Sequence, residues 1–183
     1  MQGQIYDGDF CIDNKSTCYQ REGTSNFFRT KVPIRMHKLT KELDNDNYAV
    51  TTVIVPKDTT IYSDENVIGK QVRAEKVFVE KQAKLNGNNI TKTKAIKNYS
   101  AFDFIYETGQ YVKPRDEFSK VDQQCDSGIH LFAKFNDCID ATKHGFCDCS
   151  QPTPRPTPQA VNYIYYASSS KRNSSCIAEE NCF

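Results

Sequence analysis

Apolar and β-branched residues gather in short runs along this chain, separated by turn-forming residues, and most runs are too short for a helix. Tyr48 to Val55 (YAVTTVIV) is the densest and is stopped by Pro56, which cannot donate to a ladder. A short Thr59–Tyr62 strand is expected after the Lys57-Asp58 turn. Val72 to Val79 carries Val72, Ala74, Val77 and Val79 as inward positions, with an alternation that slips at Lys76 and suggests a bulge. Asn86-Gly87 signals a turn. Tyr99 to Tyr106 (YSAFDFIY) predicts an aromatic strand, and Gly128 to Phe132 (GIHLF) a buried one. Phe104, Ile129 and Phe132 are expected among the most buried residues, and His130 inside an apolar strand is expected to be buried and neutral.

Helical signals are few. Asn136 to Lys143 reads as a short helix capped by Asn136 and stopped at Gly145. Val32 to Leu43 is the other candidate, with Pro33 in its first turn. The pattern predicts an α+β, mainly β fold: a small antiparallel or mixed sheet with one or two short helices and extended N- and C-terminal arms. Residues 1–30, rich in Asp, Asn, Ser, Gly and Thr, read as an extended arm or looped flap. A single strand-rich core domain spans 31–149. Residues 150–183 form a Pro-rich spacer and C-terminal arm.

That arm opens with Gln151 to Gln159 (QPTPRPTPQ), which favours polyproline II and reaches about 28 Å over nine residues. Val161 to Tyr166 (VNYIYY) follows as an apolar strand. Val161, Tyr163, Tyr165 and Tyr166 are the candidate partner-binding residues, through strand addition to a neighbour's sheet edge. The alternative is a terminal strand that completes the parent sheet.

Composition adds limits. With 183 residues, a mean hydropathy of −0.67, ten Tyr and eleven Phe, the chain suits one modest aromatic core with polar margins. The net charge is +1, so no global field recruits nucleic acid or an anionic membrane. The distribution is uneven, with +5 over residues 31–100 and −4 over residues 101–150. No apolar run approaches the roughly 20 residues of a transmembrane helix. Met1 to Phe10 has neither a basic region nor an apolar one, so secretion by a signal peptide is not expected.

Eight cysteines cluster at the two ends of the chain. Local pairing of Cys11 with Cys18 and of Cys176 with Cys182 is expected, because short loops are the easiest to close. Cys125, Cys138, His144, Cys147 and Cys149 together offer enough soft ligands for a zinc alternative, although paired C-x2-C knuckles are missing. Reduced thiols are the third reading. Catalytic signatures are missing: there is no P-loop, dinucleotide fingerprint, H-E-x-x-H or G-x-S-x-G. Asp103 and Glu107 share a strand face roughly 13 Å apart, too far for a glycosidase pair. His37 and His144 lie in polar settings and read as surface residues. No catalytic residue and no cofactor is expected.

Two stretches carry a resemblance. One is Ile54-Val55-Pro56 with Val72-Arg73-Ala74-Glu75-Lys76-Val77. The other is Tyr106-x2-Gly109-x2-Val112-x-Pro114 with Cys125-x2-Gly128-Ile129-His130-x-Phe132. Together they resemble an uncharacterised domain family of large DNA viruses and phages, over roughly Tyr48 to Gly145. Gln71 stands where that family usually has cysteine, and Leu131 replaces a phenylalanine. The resemblance implies a minor capsid protein of the virion, assembled in the host cytoplasm. Its partners would be the major capsid protein and neighbouring minor capsid proteins. Two rivals stay open. An ADP-ribosyltransferase-like enzyme would have only Arg73, His130 and Glu107 as loose candidates. A host-interaction protein would use the cysteine-rich tail as a zinc staple.

Overall fold

The computed structural model describes residues 3–63, 71–96, 104–122 and 126–144. In chain order these form β1 (Tyr6–Asp7), α1 (Gly8–Asp13), α2 (Lys15–Cys18), β2 (Tyr19–Arg21), β3 (Phe27–Thr30), β4 (Ile34–Glu42), β5 (Tyr48–Val55) and β6 (Thr60–Tyr62). There follow β7 (Gln71–Ala74), β8 (Val77–Lys84), β9 (Asn89–Ile90), β10 (Lys92–Lys94), β11 (Ile105–Glu107), β12 (Tyr111–Val112), β13 (Ile129–Phe132) and α3 (Phe135–His144). All the strands join one sheet, antiparallel except where β1 lies parallel to β4, so the fold is mainly β with three short helices.

The sheet runs β12-β8-β5-β4-β13-β7-β6-β3-β2, with β9 on β8 and the β10–β11 pair on β4. Its spine is the β4–β5 ladder, registered from Ile34 opposite Val55 to Lys41 opposite Tyr48. Alternation then assigns the faces. Ile34, Met36, Val53, Val55, Val72, Ala74, Val77, Val79, Ile129 and Leu131 are buried in the main core, joined by Phe28, Ile61 and Tyr106. The opposite face of the spine carries Leu39, Val50 and Phe132, against which α3 packs Cys138 and Ala141. A third cluster, Phe27, Tyr62 and Phe118, lies towards the β3 end.

β5 forms over the expected residues, and Gln71–Ala74 and Val77–Lys84 bury all four expected inward positions. The slip at Lys76 is no bulge. It is where the chain leaves β7, beside β13, and enters β8, beside β5. The register shift falls instead further along β8, where Glu80 is the extra residue between Lys81, opposite Thr52, and Val79, opposite Val53. At Asn86-Gly87 the expected turn forms, with Gly87 at φ +90°, where a side chain would be strained. Ile129 and Phe132 are buried as expected. Phe104 is only partly buried, its ring 5.2 Å from that of Tyr106, which takes the core position. The first part of the expected Tyr99–Tyr106 strand lies outside the described residues.

Val32–Leu43 is not a helix. Ile34 to Glu42 is a strand whose partner β5 pairs it along nearly its whole length, and that tertiary pairing outweighs the helix-start signal of Pro33. Its alternation is hard to read because the inward positions after Ile34 and Met36 are Lys38 and Thr40, both fully buried.

The N-terminal segment, expected as an extended arm, contributes α1, α2 and β1–β3. Tyr6 pairs opposite Ile34, and Tyr19 opposite Thr30. The expected Cys11–Cys18 disulfide is present, with both residues fully buried in the main core. It closes a loop whose ends are seven positions apart. A loop of this length restricts the unfolded chain by about 2–3 kcal/mol. Cys11→Ser should therefore lower stability by about that amount, and adding a thiol reductant to the native chain should do the same. Equal urea midpoints with and without reductant would show that the bond contributes nothing.

Candidate functional site

The two sequence stretches that carry the resemblance lie side by side. β7 and β13 pair with Ala74 opposite Ile129, Arg73 opposite His130 and Val72 opposite Leu131. Arg73 is fully buried. Its guanidinium donates to the carbonyls of Ser119 and Ser127, both at 2.8 Å, and of Val121 at 2.9 Å. The same group lies 4.5 Å from the ring centre of Tyr62, 5.0 Å from Phe118 and 6.0 Å from Phe27. Carbonyl dipoles and aromatic faces together replace the water that this cation loses. The loop after Pro114 is thereby tied to the sheet at three points. Gly128 lies so close to Arg73 Cγ that a Cβ there would overlap it.

A second cation, Lys38 on β4, is also fully buried. Its Nζ donates to the His130 carbonyl at 3.3 Å and sits 5.7 Å from the Tyr106 ring centre. His130 is 1% exposed, and its Nδ1 is 3.3 Å from the Gly128 carbonyl. Beyond Lys38 the interior continues as a polar chain. Thr40, Thr51 and Thr93 bond through their hydroxyls, at 3.0 Å and 2.9 Å. The Gln82 Oε1 accepts from Thr51 at 3.1 Å and from Thr93. Its amide nitrogen donates to the Thr91 and Tyr106 carbonyls and to the Thr108 hydroxyl.

Of the loose enzyme candidates, the fold brings Arg73 and His130 together. Glu107 lies on β11, paired with Lys92 at 3.2 Å, on a strand that pairs with neither β7 nor β13. Among the described residues, no three His, Cys, Asp or Glu side chains gather in metal-ligand reach. Of the zinc set, Cys138 packs against Leu39, Val50 and Phe132, and burial pushes its thiol up to about 12. Cys125, Cys147 and Cys149, the Cys176/Cys182 pair, and Val161, Tyr163, Tyr165 and Tyr166 lie outside the described residues. So does the side chain of His144.

His37 is not the surface residue its polar neighbours suggest. It is half-buried under α3, with its ring edge-on to Phe135 at 5.4 Å, and burial lowers its pKa to about 4. A groove of about 310 Å³ runs along the Arg73-bound loop. Lys113, Arg115, Lys120, Glu75, Asp116 and Glu117 line it with Pro114 and Phe118, so it lacks the predominantly apolar lining usual for a small-molecule site. No helix among the described residues is long and apolar enough to cross a membrane.

The buried cations were missed by the sequence reading because Lys and Arg are ordinarily surface residues. The available signal was their position: Arg73 falls between Val72 and Ala74, and Lys38 continues the Ile34, Met36 alternation. No curated protein and no solved structure matches the chain. One family model, described as a family of unknown function (DUF5758), matches residues 23–138. That span runs from just before β3 into α3 and leaves the disulfide-closed segment outside. It contains Arg73, the carbonyls that hold it, Lys38 and Gln82, so the chain belongs to the DUF5758 family.

Proposed function

We propose that the protein is a non-enzymatic structural component of a large DNA virus particle, a minor capsid protein that links neighbouring capsid subunits. The observation that carries this reading is the use of both fully buried cations: Arg73 ties a loop to the sheet and Lys38 ties β4 to β13. Charged groups spent on internal carbonyls build a rigid scaffold, whereas a catalytic group has to face its substrate. The fully buried disulfide adds a covalent closure to the same core. The resemblance of the β7 and β13 stretches to a viral domain family supplies the virion setting. The C-terminal segment supplies the linker, since a proline-spaced leash ending in VNYIYY offers aromatic surface on both strand faces.

Deleting residues 150–183 tests the linker. The truncated chain should melt as the full chain does and should be lost from purified particles, as read by mass spectrometry. Normal incorporation of the truncated chain would end the linker role, and absence of the full chain from virions would end the capsid reading. An ADP-ribosyltransferase-like enzyme would instead bind nicotinamide dinucleotide in calorimetry, at a site lost with Arg73→Lys.

A further inference from the structure

We infer that α3 is an acid-released latch: His37 holds the helix on the sheet while its ring is neutral and frees it on protonation. The inference rests on the seam between β4 and α3 and does not depend on the capsid reading. His37 lies at the centre of β4, opposite Thr52 on β5 and Phe132 on β13. Phe135, the first residue of α3, meets the imidazole edge-on at 85° between ring planes. The Thr52 hydroxyl lies 3.4 Å from Nδ1. A neutral ring suits this niche of a hydroxyl and a phenyl ring. An imidazolium would lose much of its hydration there, and it would also face the positive end of the ten-residue helix that starts at Phe135.

The surrounding charges do not reverse this. Asp7 on β1 and Glu80 on β8 favour the cation, while Lys81 and Arg35 oppose it. Arg35 already holds both acids, Glu80 through two bonds of 2.7 Å and Asp7 at 2.9 Å. On the helix side, Asp137 lies in the first turn of α3, and Lys134 just before it is paired with Asp9 on α1 at 3.0 Å. On β13, the His130 ring turns to the Gly128 carbonyl. Burial leads the balance, and the ring titrates near 4 against an ordinary 6.5. Between those values the docked helix binds fewer protons than the released one, so acid favours release and neutral pH favours docking.

The helix is ten residues long. Cys138 and Ala141, with the half-buried Ile139, make its apolar contact with Leu39, Val50 and Phe132. Release would bare the Cys138 thiol, which is otherwise completely buried. This gives a direct readout.

The full chain is exposed to dipyridyl disulfide, which reacts with thiols in acid, at steps from pH 7 to pH 4. Labelling of Cys138 is followed by peptide mapping and divided by its rate in the denatured chain at the same pH. One pKa unit is a tenfold change, so between pH 7 and pH 4 the shift allows an increase of up to about 100-fold, and at least about tenfold is expected with partial solvation of the ring. Near-UV circular dichroism from the buried tyrosines should persist across the same range. His37→Gln, and independently His37→Leu, should flatten the rise in Cys138 labelling. Protection of wild-type Cys138 down to pH 4 would overturn the inference. So would an unchanged rise in a folded variant, or loss of the dichroism in step with the labelling.

Discussion

Arg73→Ala should destabilise the protein by about 3–5 kcal/mol, the range seen when one partner of a buried charged network is removed. The guanidinium makes three bonds of 2.8 to 2.9 Å to carbonyls on one loop and fills the space between Tyr62, Phe27 and Phe118. Its removal leaves the Ser119, Val121 and Ser127 carbonyls without this donor and opens a void between three rings. Arg73→Lys separates charge from shape. Lysine keeps the cation but presents a single ammonium in place of a planar fork, so it cannot reach three carbonyls at once. A loss of about 2–3 kcal/mol is expected for it, intermediate because the charge–ring attraction survives. Urea midpoints of the two variants decide the matter. If Arg73→Ala costs under about 1 kcal/mol, the loop is held by other contacts and the clasp is incidental. Equal losses for Ala and Lys would assign the whole effect to the fork geometry.

The same residue shows what the sequence makes legible. β5 could be read directly, because eight β-branched, aromatic or small residues ending at a proline leave few other structures open. The turn at Asn86-Gly87 and the local disulfide were equally plain, since both depend on neighbours in sequence. β4 was misread for the opposite reason. Its inward face alternates Ile34, Met36, Lys38 and Thr40, and the last two are accommodated in the core by polar partners that include the His130 carbonyl and the Thr51 hydroxyl. Those partners lie 92 and 11 positions away, beyond the reach of any local pattern. The pairing of Arg73 with His130 was invisible likewise, because β7 and β13 are adjacent only in space. His37 looked exposed until the helix from Phe135 was laid across it. Local signals thus gave the strands and turns, while the polar interior is a tertiary product.

That polar interior is the second place where a single substitution should tell. Gln82 is 1% exposed and joins five groups: one on each of three other strands, one between β9 and β10, and one in the turn after β11. Its amide donates to the Thr91 carbonyl at 2.7 Å, the Thr108 hydroxyl at 3.0 Å and the Tyr106 carbonyl at 3.2 Å, while its oxygen receives Thr51 and Thr93. The β10–β11 pair is thereby fastened over β8 as well as at β4. Gln82→Ala removes all five bonds and should cost about 2–4 kcal/mol, since buried partners left without a bond each carry a desolvation penalty. Gln82→Glu is the sharper experiment because the volume hardly changes. A carboxylate accepts from Thr51 and Thr93 as before but cannot donate to two carbonyls, and ionisation in this interior is opposed by burial. The introduced acid should therefore titrate above its unfolded value. Its contribution to stability is present below the unfolded value and is lost as pH rises through the folded one. Near pH 4 Gln82→Glu should approach wild type, and at pH 7 it should fall at least as far as Gln82→Ala. Urea melts of both variants and wild type at the two pH values test this, with His37→Gln as background so that α3 does not contribute its own acid response. A Gln82→Glu protein as stable as wild type at pH 7 would mean that water reaches this network and that β10–β11 is held at β4 alone.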